Sequence, residues 1–158
     1  MRKRLAVCLL ALLPLVAPPL FAADDKSDVN DPQMLRNAIR GDKKAFVESQ
    51  LQLTPAEAKK FWPIYDTYQR HVDGINRRRN VAVETLIARD KPITELYAKS
   101  LANELIATDE AEIKARRTLH NKVIRALPDV KAARYLQLES KFRAVQAYDI
   151  ATTIPLIR

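Results

Sequence analysis

The chain has 158 residues, enough for one domain with a tail. It carries 27 Lys and Arg against 19 Asp and Glu, a formal charge of +8, with only two Gly, one Cys and two His. Gly41 and Gly74 are isolated, so no glycine-rich phosphate loop can be built. A turn-rich all-β fold is excluded on the same ground, and one Cys with two His leaves no zinc-ribbon or His-cluster spacing.

Arg2, Lys3 and Arg4 precede an apolar run from Leu5 to Val16. Pro18, Pro19 and the small residues Ala22 and Ala23 follow, then Asp24 and Asp25. Charge, short apolar core, helix breaker and small residues are the layout of a secretory signal peptide, with cleavage expected near Ala22. The apolar run is a dozen residues, short of the roughly 20 that span a bilayer. Loss of residues 1–22 removes three basic and no acidic residues, leaving +5, and it removes Cys8, the only thiol. The expected location is the periplasm. Export directs the residual charge away from nucleic acid and toward lipid head groups, cell-wall polymers and acidic protein surfaces.

Residues 23–31 are polar and read as a disordered lead-in. Asp31 before Pro32 opens a helix, as N-cap and first helical residue. Leu35, Ala38, Ile39, Phe46 and Val47 give it a helical period over about 32–50, interrupted by Gly41. The sharpest local signal is Leu53-Thr54-Pro55-Ala56-Glu57. Thr54 and Glu57 can satisfy each other's backbone N–H in a capping box, Pro55 needs no N–H at its position, and Leu53 can staple onto Ala58.

The following helix is expected to reach Arg89, a length of ~52 Å. Ala58, Phe61, Tyr65, Tyr68, Val72, Ile75, Ala82 and Leu86 form its apolar stripe, and Pro63 interrupts its hydrogen bonding. Asp90-Lys91-Pro92 makes a turn. Thr94 then caps a second long helix, to about Ala126, which carries two stripes. One runs through Leu101, Leu105, Ala115, Leu119 and Val123. The other holds Ile106, Ile113, His120, Ile124 and Leu127, and two stripes predict two packed neighbours. Leu127-Pro128-Asp129 breaks this helix, and a last one is expected over 129–151. The fold class is all-α: elongated antiparallel hairpins of about four helices with long central helices. Residues 32–158 form the single domain. A turn centred on Lys91 sets Arg70 against Glu112, Asp66 against Arg116 and Trp62 against His120. A turn near Pro128 sets Phe142 against Lys114 and Leu136 against His120.

These features resemble the Spy/CpxP-like family of periplasmic proteins, named for a Leu-Thr-x-x-Gln motif. Here Glu57 stands in the Gln place, and either residue completes a capping box. The similarity is greatest to a poorly characterised branch. Its features are Phe61-Trp62-Pro63-Ile64-Tyr65, the Leu127 to Arg134 segment, Leu138-Glu139 and the terminal Ile154-Pro155-Leu156. The resemblance spans about 31 to 157. It implies an elongated helical hairpin fold, often a cradle-like antiparallel homodimer. It also implies ATP-independent chaperone, stress-adaptor or metal-responsive roles. The second motif copy of the better-known members is missing, and Leu127 to Lys131 occupies its place.

Leu53, Thr54 and Glu57 are the helix-cap motif. Phe61 and Tyr65 are expected in the core, whereas Trp62 lies off the main stripe and is a candidate client surface. Arg77-Arg78-Arg79 cannot share one face at 3.6 residues per turn. Most of that run is expected to be solvated; the sharper reading joins Arg70, Arg77 and Arg78 to Arg116, Arg117, Lys122 and Arg125 in a basic cradle for clients or anions. His71 and His120 lack a partner at ligand spacing, and no Gly-x-Ser-x-Gly elbow or paired nucleophile and base occurs. The sequence therefore points to a non-enzymatic protein without cofactor or metal. It binds unfolded or envelope proteins and can pair with a second copy. The alternative is an adaptor for an envelope sensor or membrane-associated partner. Metal sensing and an anionic membrane surface are the weakest readings.

Overall fold

A computed structural model describes residues 29–157. The expected signal segment 1–22 and the expected lead-in up to residue 28 lie outside the described residues. Five helices follow in order: α1 Pro32–Arg40, α2 Lys43–Leu51, α3 Pro55–Ile87, α4 Glu95–Ala126 and α5 Asp129–Thr153. No strand occurs among the described residues. The molecule is all-α with long central helices.

Local chemistry sets most of the helix starts. Asp31 accepts from the Gln33 N–H at 2.8 Å and Asp42 from the Ala45 N–H at 2.9 Å. Thr94 accepts from the Tyr97 N–H at 3.3 Å. The capping box at Thr54 is complete: the Thr54 N–H donates to Glu57 Oε2 at 2.8 Å, and the Glu57 N–H donates to Thr54 Oγ1 at 3.3 Å.

The single helix expected over 32–50 is two helices, so the described residues hold five helices rather than four. Gly41 leaves the helical region at φ −92°, ψ −108°, and Asp42 starts α2 as a fresh N-cap. A side chain that can cap stands directly behind a residue that can break, and this pair outweighs the continuous apolar period. α2 ends at Gln52, whose left-handed backbone (φ 46°) is the one positive φ of a non-glycine residue among the described residues.

α3 and α4 form a long antiparallel hairpin, α3 spanning about 50 Å. α5 returns along the base half of α4, and α1 and α2 lie along α5. The core of this base is continuous. From α3 it takes Phe61, Tyr65, Tyr68 and Val72; from α4 Ala115, Leu119 and Val123; from α5 Tyr135, Leu138 and Phe142. Phe61 stacks edge-on against Tyr135, with ring centroids 4.8 Å apart, and Phe46 of α2 does the same against Phe142 at 5.7 Å. α3 and α5 meet through these large rings rather than by close backbone approach. Tyr135 is fully buried, and its hydroxyl lies near Gln69 without a well-formed hydrogen bond. At the far end of the hairpin Val83, Leu86, Leu101 and Thr108 are buried, outside that continuous core.

The three pairings expected from the Lys91 turn need correction. Glu112 is taken by Arg79 at 3.0 Å, with Arg143 at 3.7 Å, and not by Arg70. Asp66 and Trp62 face α2, where Lys44 lies 2.9 Å from Asp66 and over the Trp62 ring, so neither faces α4. The reason is helical phase. Residues 62 and 66 sit one helical position past Phe61 and Tyr65, which turns them to the α2 side of the core. The turn at Pro128 does bring Leu136 and His120 to one groove, but it does not pair Phe142 with Lys114: Phe142 packs on Phe46 and Lys43 of α2, and Lys114 turns to the α3–α4 groove. The second stripe of α4 is covered only at its end, where Leu127 joins the core: Ile106 and Ile113 are each 58% exposed and Ile124 43%.

Candidate functional site: two basic grooves on an uncovered helical face

The α2–α3 junction carries the motif residues. Glu57 Oε2 takes both the Thr54 N–H and, at 2.7 Å, Lys131 Nζ from α5. Lys131 also donates to the Gln52 carbonyl at 2.8 Å. Hydrogen bonds from Lys131 and the Thr54 N–H hold the Glu57 carboxyl below its usual range. Leu53 is half-buried against the core. The cap motif is thus a tertiary joint as well as a helix start, and sequence reasoning missed its α5 half because Lys131 lies 74 residues away.

A second joint secures the α3–α5 side. Lys43 Nζ lies 3.0 Å from Glu139 Oε1, Gln69 donates to Glu139 Oε2 at 3.3 Å, and the ammonium sits 4.7 Å from the Phe142 ring centre. At the end of α5, Arg36 grips Asp149 through two nitrogens at 2.8–3.1 Å. Nearby, Arg79 bridges Asp109 and Glu112. Many of the cations on these sides are therefore paired and hold the fold together.

The remaining cations behave differently. Between α3 and α4, on the side that α5 does not line, runs a groove of about 660 Å³. Ile64, Tyr68, Ala111, Ala115 and Leu119 give it apolar walls. Arg70, His71, Lys114 and Lys122 rim it, and no carboxylate does. It continues toward the base past Lys60 and Arg125. The depth has a sequence cause: Ala111, Ala115 and Thr118 are small, so α4 leaves space opposite Ile64 and Tyr68. Burial pushes the Tyr68 hydroxyl well above its ordinary pKa, so it stays neutral in this wall. The adjoining acidic residues Asp73 and Glu110 are exposed and do not line the groove.

A second groove, about 370 Å³, lies between α4 and α5. Arg116, Arg117 and His120 line it together with Ile113 and Leu136; Glu139 is its one acid.

The candidate surface residues accordingly separate. Arg70 belongs to the α3–α4 groove, and Arg116 and Arg117 to the α4–α5 groove. Arg78 is paired with Glu104 at 2.8 Å, and Arg77 is exposed beyond both. Trp62 is half-buried among Phe61, Tyr65 and Lys44. Lys122 and Arg125, which the sequence places in the cradle, do lie along the α3–α4 groove with Arg70. His71 and His120 fall in different grooves. Lys60 and Lys114 were missed; their signal was the i, i+4 and i+8 spacing of Lys114, Thr118 and Lys122 beside Ala111 and Ala115.

Among the described residues no helix is long and apolar enough to cross a membrane. No protein family, curated protein or solved structure matches this chain.

Proposed function

We propose that this chain is an exported, non-enzymatic binding protein of the Spy/CpxP-like type that holds unfolded or envelope proteins. The observation that carries the reading is the sorting of its cations. Arg36, Lys43, Arg79 and Lys131 are paired inside the fold. Among the described residues, Lys60, Arg70, Lys114, Lys122 and Arg125 form no ion pair, and they border an apolar groove. Charge captures an acidic chain at long range, and the apolar walls hold its side chains after contact. Exposed Ile106, Ile113 and Ile124 extend the apolar surface on α4.

The test is suppression of aggregation. The purified protein, at one to a few equivalents, should slow light scattering by a denatured client diluted into buffer, and should do so less well at high salt. No slowing at any ratio would remove the reading. Crosslinking in cells separates the adaptor alternative: many partners support a holding role, and one dominant partner supports an adaptor.

A further inference from the structure

We infer that the α3–α4 groove is the docking site for an acidic amphipathic helix of about three turns, supplied by a protein partner. This rests on the holding reading for its class of partner and goes further by naming the element bound.

Three observations carry it. The first is charge complementarity. Lys60 and Arg70 stand on the α3 side and Lys114, Lys122 and Arg125 on the α4 side; among the described residues none of them has an ion pair and no carboxylate lines the space between. Cations on both rims and along the length match a ligand with carboxylates on both flanks of an apolar stripe. A single anionic head group would need cations at one point only.

The second is length. Lys60 to His71 is eleven residues of α3, about 16 Å or three helical turns. The groove is therefore long enough for an i, i+3, i+4, i+7 set of anchors.

The third is the kind of backbone that can fit. The walls are two helices whose N–H and C=O groups are satisfied internally, and the described residues offer no sheet edge. An extended segment would leave its own peptide groups unpaired against Ile64, Tyr68, Ala115 and Leu119. A helix satisfies them itself and seats its side chains over the small residues Ala111, Ala115 and Thr118.

The experiment uses the purified protein and fluorescent fourteen-residue peptides at low salt. One carries a leucine stripe flanked by glutamates, one the same stripe flanked by lysines, and one the glutamates with serines in place of leucines. The first should bind and gain helical circular dichroism; the other two should bind at least tenfold more weakly. Lys114→Glu with Lys122→Glu should weaken the first peptide tenfold or more, and Ala111→Leu, which fills the groove, at least fivefold. Arg116→Glu with Arg117→Glu, on the α4–α5 groove, should change it less than twofold. Melting curves confirm that each variant is folded, and any that is not is replaced by the corresponding glutamine variant. Equal binding of the lysine peptide, or an equal loss from the Arg116 and Arg117 pair, would overturn the assignment. So would displacement of the peptide by monomeric hexadecanoate, which would give the groove to a lipid. A protein that suppresses aggregation but ignores the peptide defeats this inference alone. One that binds the peptide and holds no client defeats the holding reading alone.

Discussion

Lys131 Nζ lies 2.7 Å from Glu57 Oε2, so the first turn of α5 is tied to the carboxylate that caps the first turn of α3. The same ammonium reaches the Gln52 carbonyl, at the left-handed residue that ends α2. One cation therefore fixes three chain segments at one point. Thr54→Ala removes the hydroxyl half of the box and should cost about 1 kcal/mol, read from denaturant midpoints. Lys131→Met should lower the melting temperature as well. The effects of Thr54→Ala and Lys131→Met should not add, because both act on Glu57. Strict additivity would show that the joint is two independent contacts.

The buried pair behaves differently from its parts. Lys43→Met leaves Glu139, whose side chain is 6% exposed, with only Gln69 as partner. A loss of about 3–5 kcal/mol is expected by urea unfolding. The double change Lys43→Met with Glu139→Leu should recover most of it, since no charge is then left buried. A double variant as unstable as the single one would contradict this.

The aromatic contact between α3 and α5 sets two opposite outcomes. Phe61→Ala opens a cavity between fully buried rings and should cost about 3–5 kcal/mol. Tyr135→Phe deletes a buried hydroxyl that lies near Gln69 without a well-formed hydrogen bond, and should leave stability unchanged or raise it by up to about 1 kcal/mol. Chemical denaturation of both variants checks the pair. A large loss in Tyr135→Phe would mean that the hydroxyl has a partner in solution.

Acid should loosen the molecule through two carboxylates. Arg36 holds Asp149 below its ordinary range by a charged hydrogen bond, and Lys131 does the same for Glu57. In both cases the unfolded chain takes up a proton at higher pH than the folded one. Each group's contribution is therefore present above the ordinary carboxylate range and is lost as pH falls through the lowered folded value. Melting temperatures between about pH 7 and pH 2 should fall on the acid side, and Asp149→Asn should flatten part of that fall. An unchanged acid slope in Asp149→Asn would exclude this pair as a source.

Much of the chain was legible because its signals are local. Asp31-Pro32, Thr54 with Glu57, Thr94 and Leu127-Pro128-Asp129 each set a helix boundary through neighbours within three residues. The break at Gly41 was visible as a residue, but its effect depended on Asp42 capping a new helix. The joints made by Lys131 and Lys43 were not legible, since each links residues more than seventy positions apart. The arginine-rich stretch misled in a specific way. Arg77, Arg78 and Arg79 point to solvent, to Glu104 and to the Asp109–Glu112 pair, because successive helical residues turn by 100°. The unpaired cations that border a groove were instead scattered through the sequence.

The far end of the hairpin has its own mechanical character. Val83, Leu86, Leu101 and Thr108 are buried there outside the continuous core, while Val81, Ile87 and Leu96 are exposed. Two helices without a third layer bury little surface per residue, so this end can open without disturbing the aromatic base. Its amides should exchange with deuterium ahead of those around Tyr65 and Tyr135. The molecule is thus a firm handle bearing a yielding pair of fingers, and the fingers can part while the handle keeps its shape.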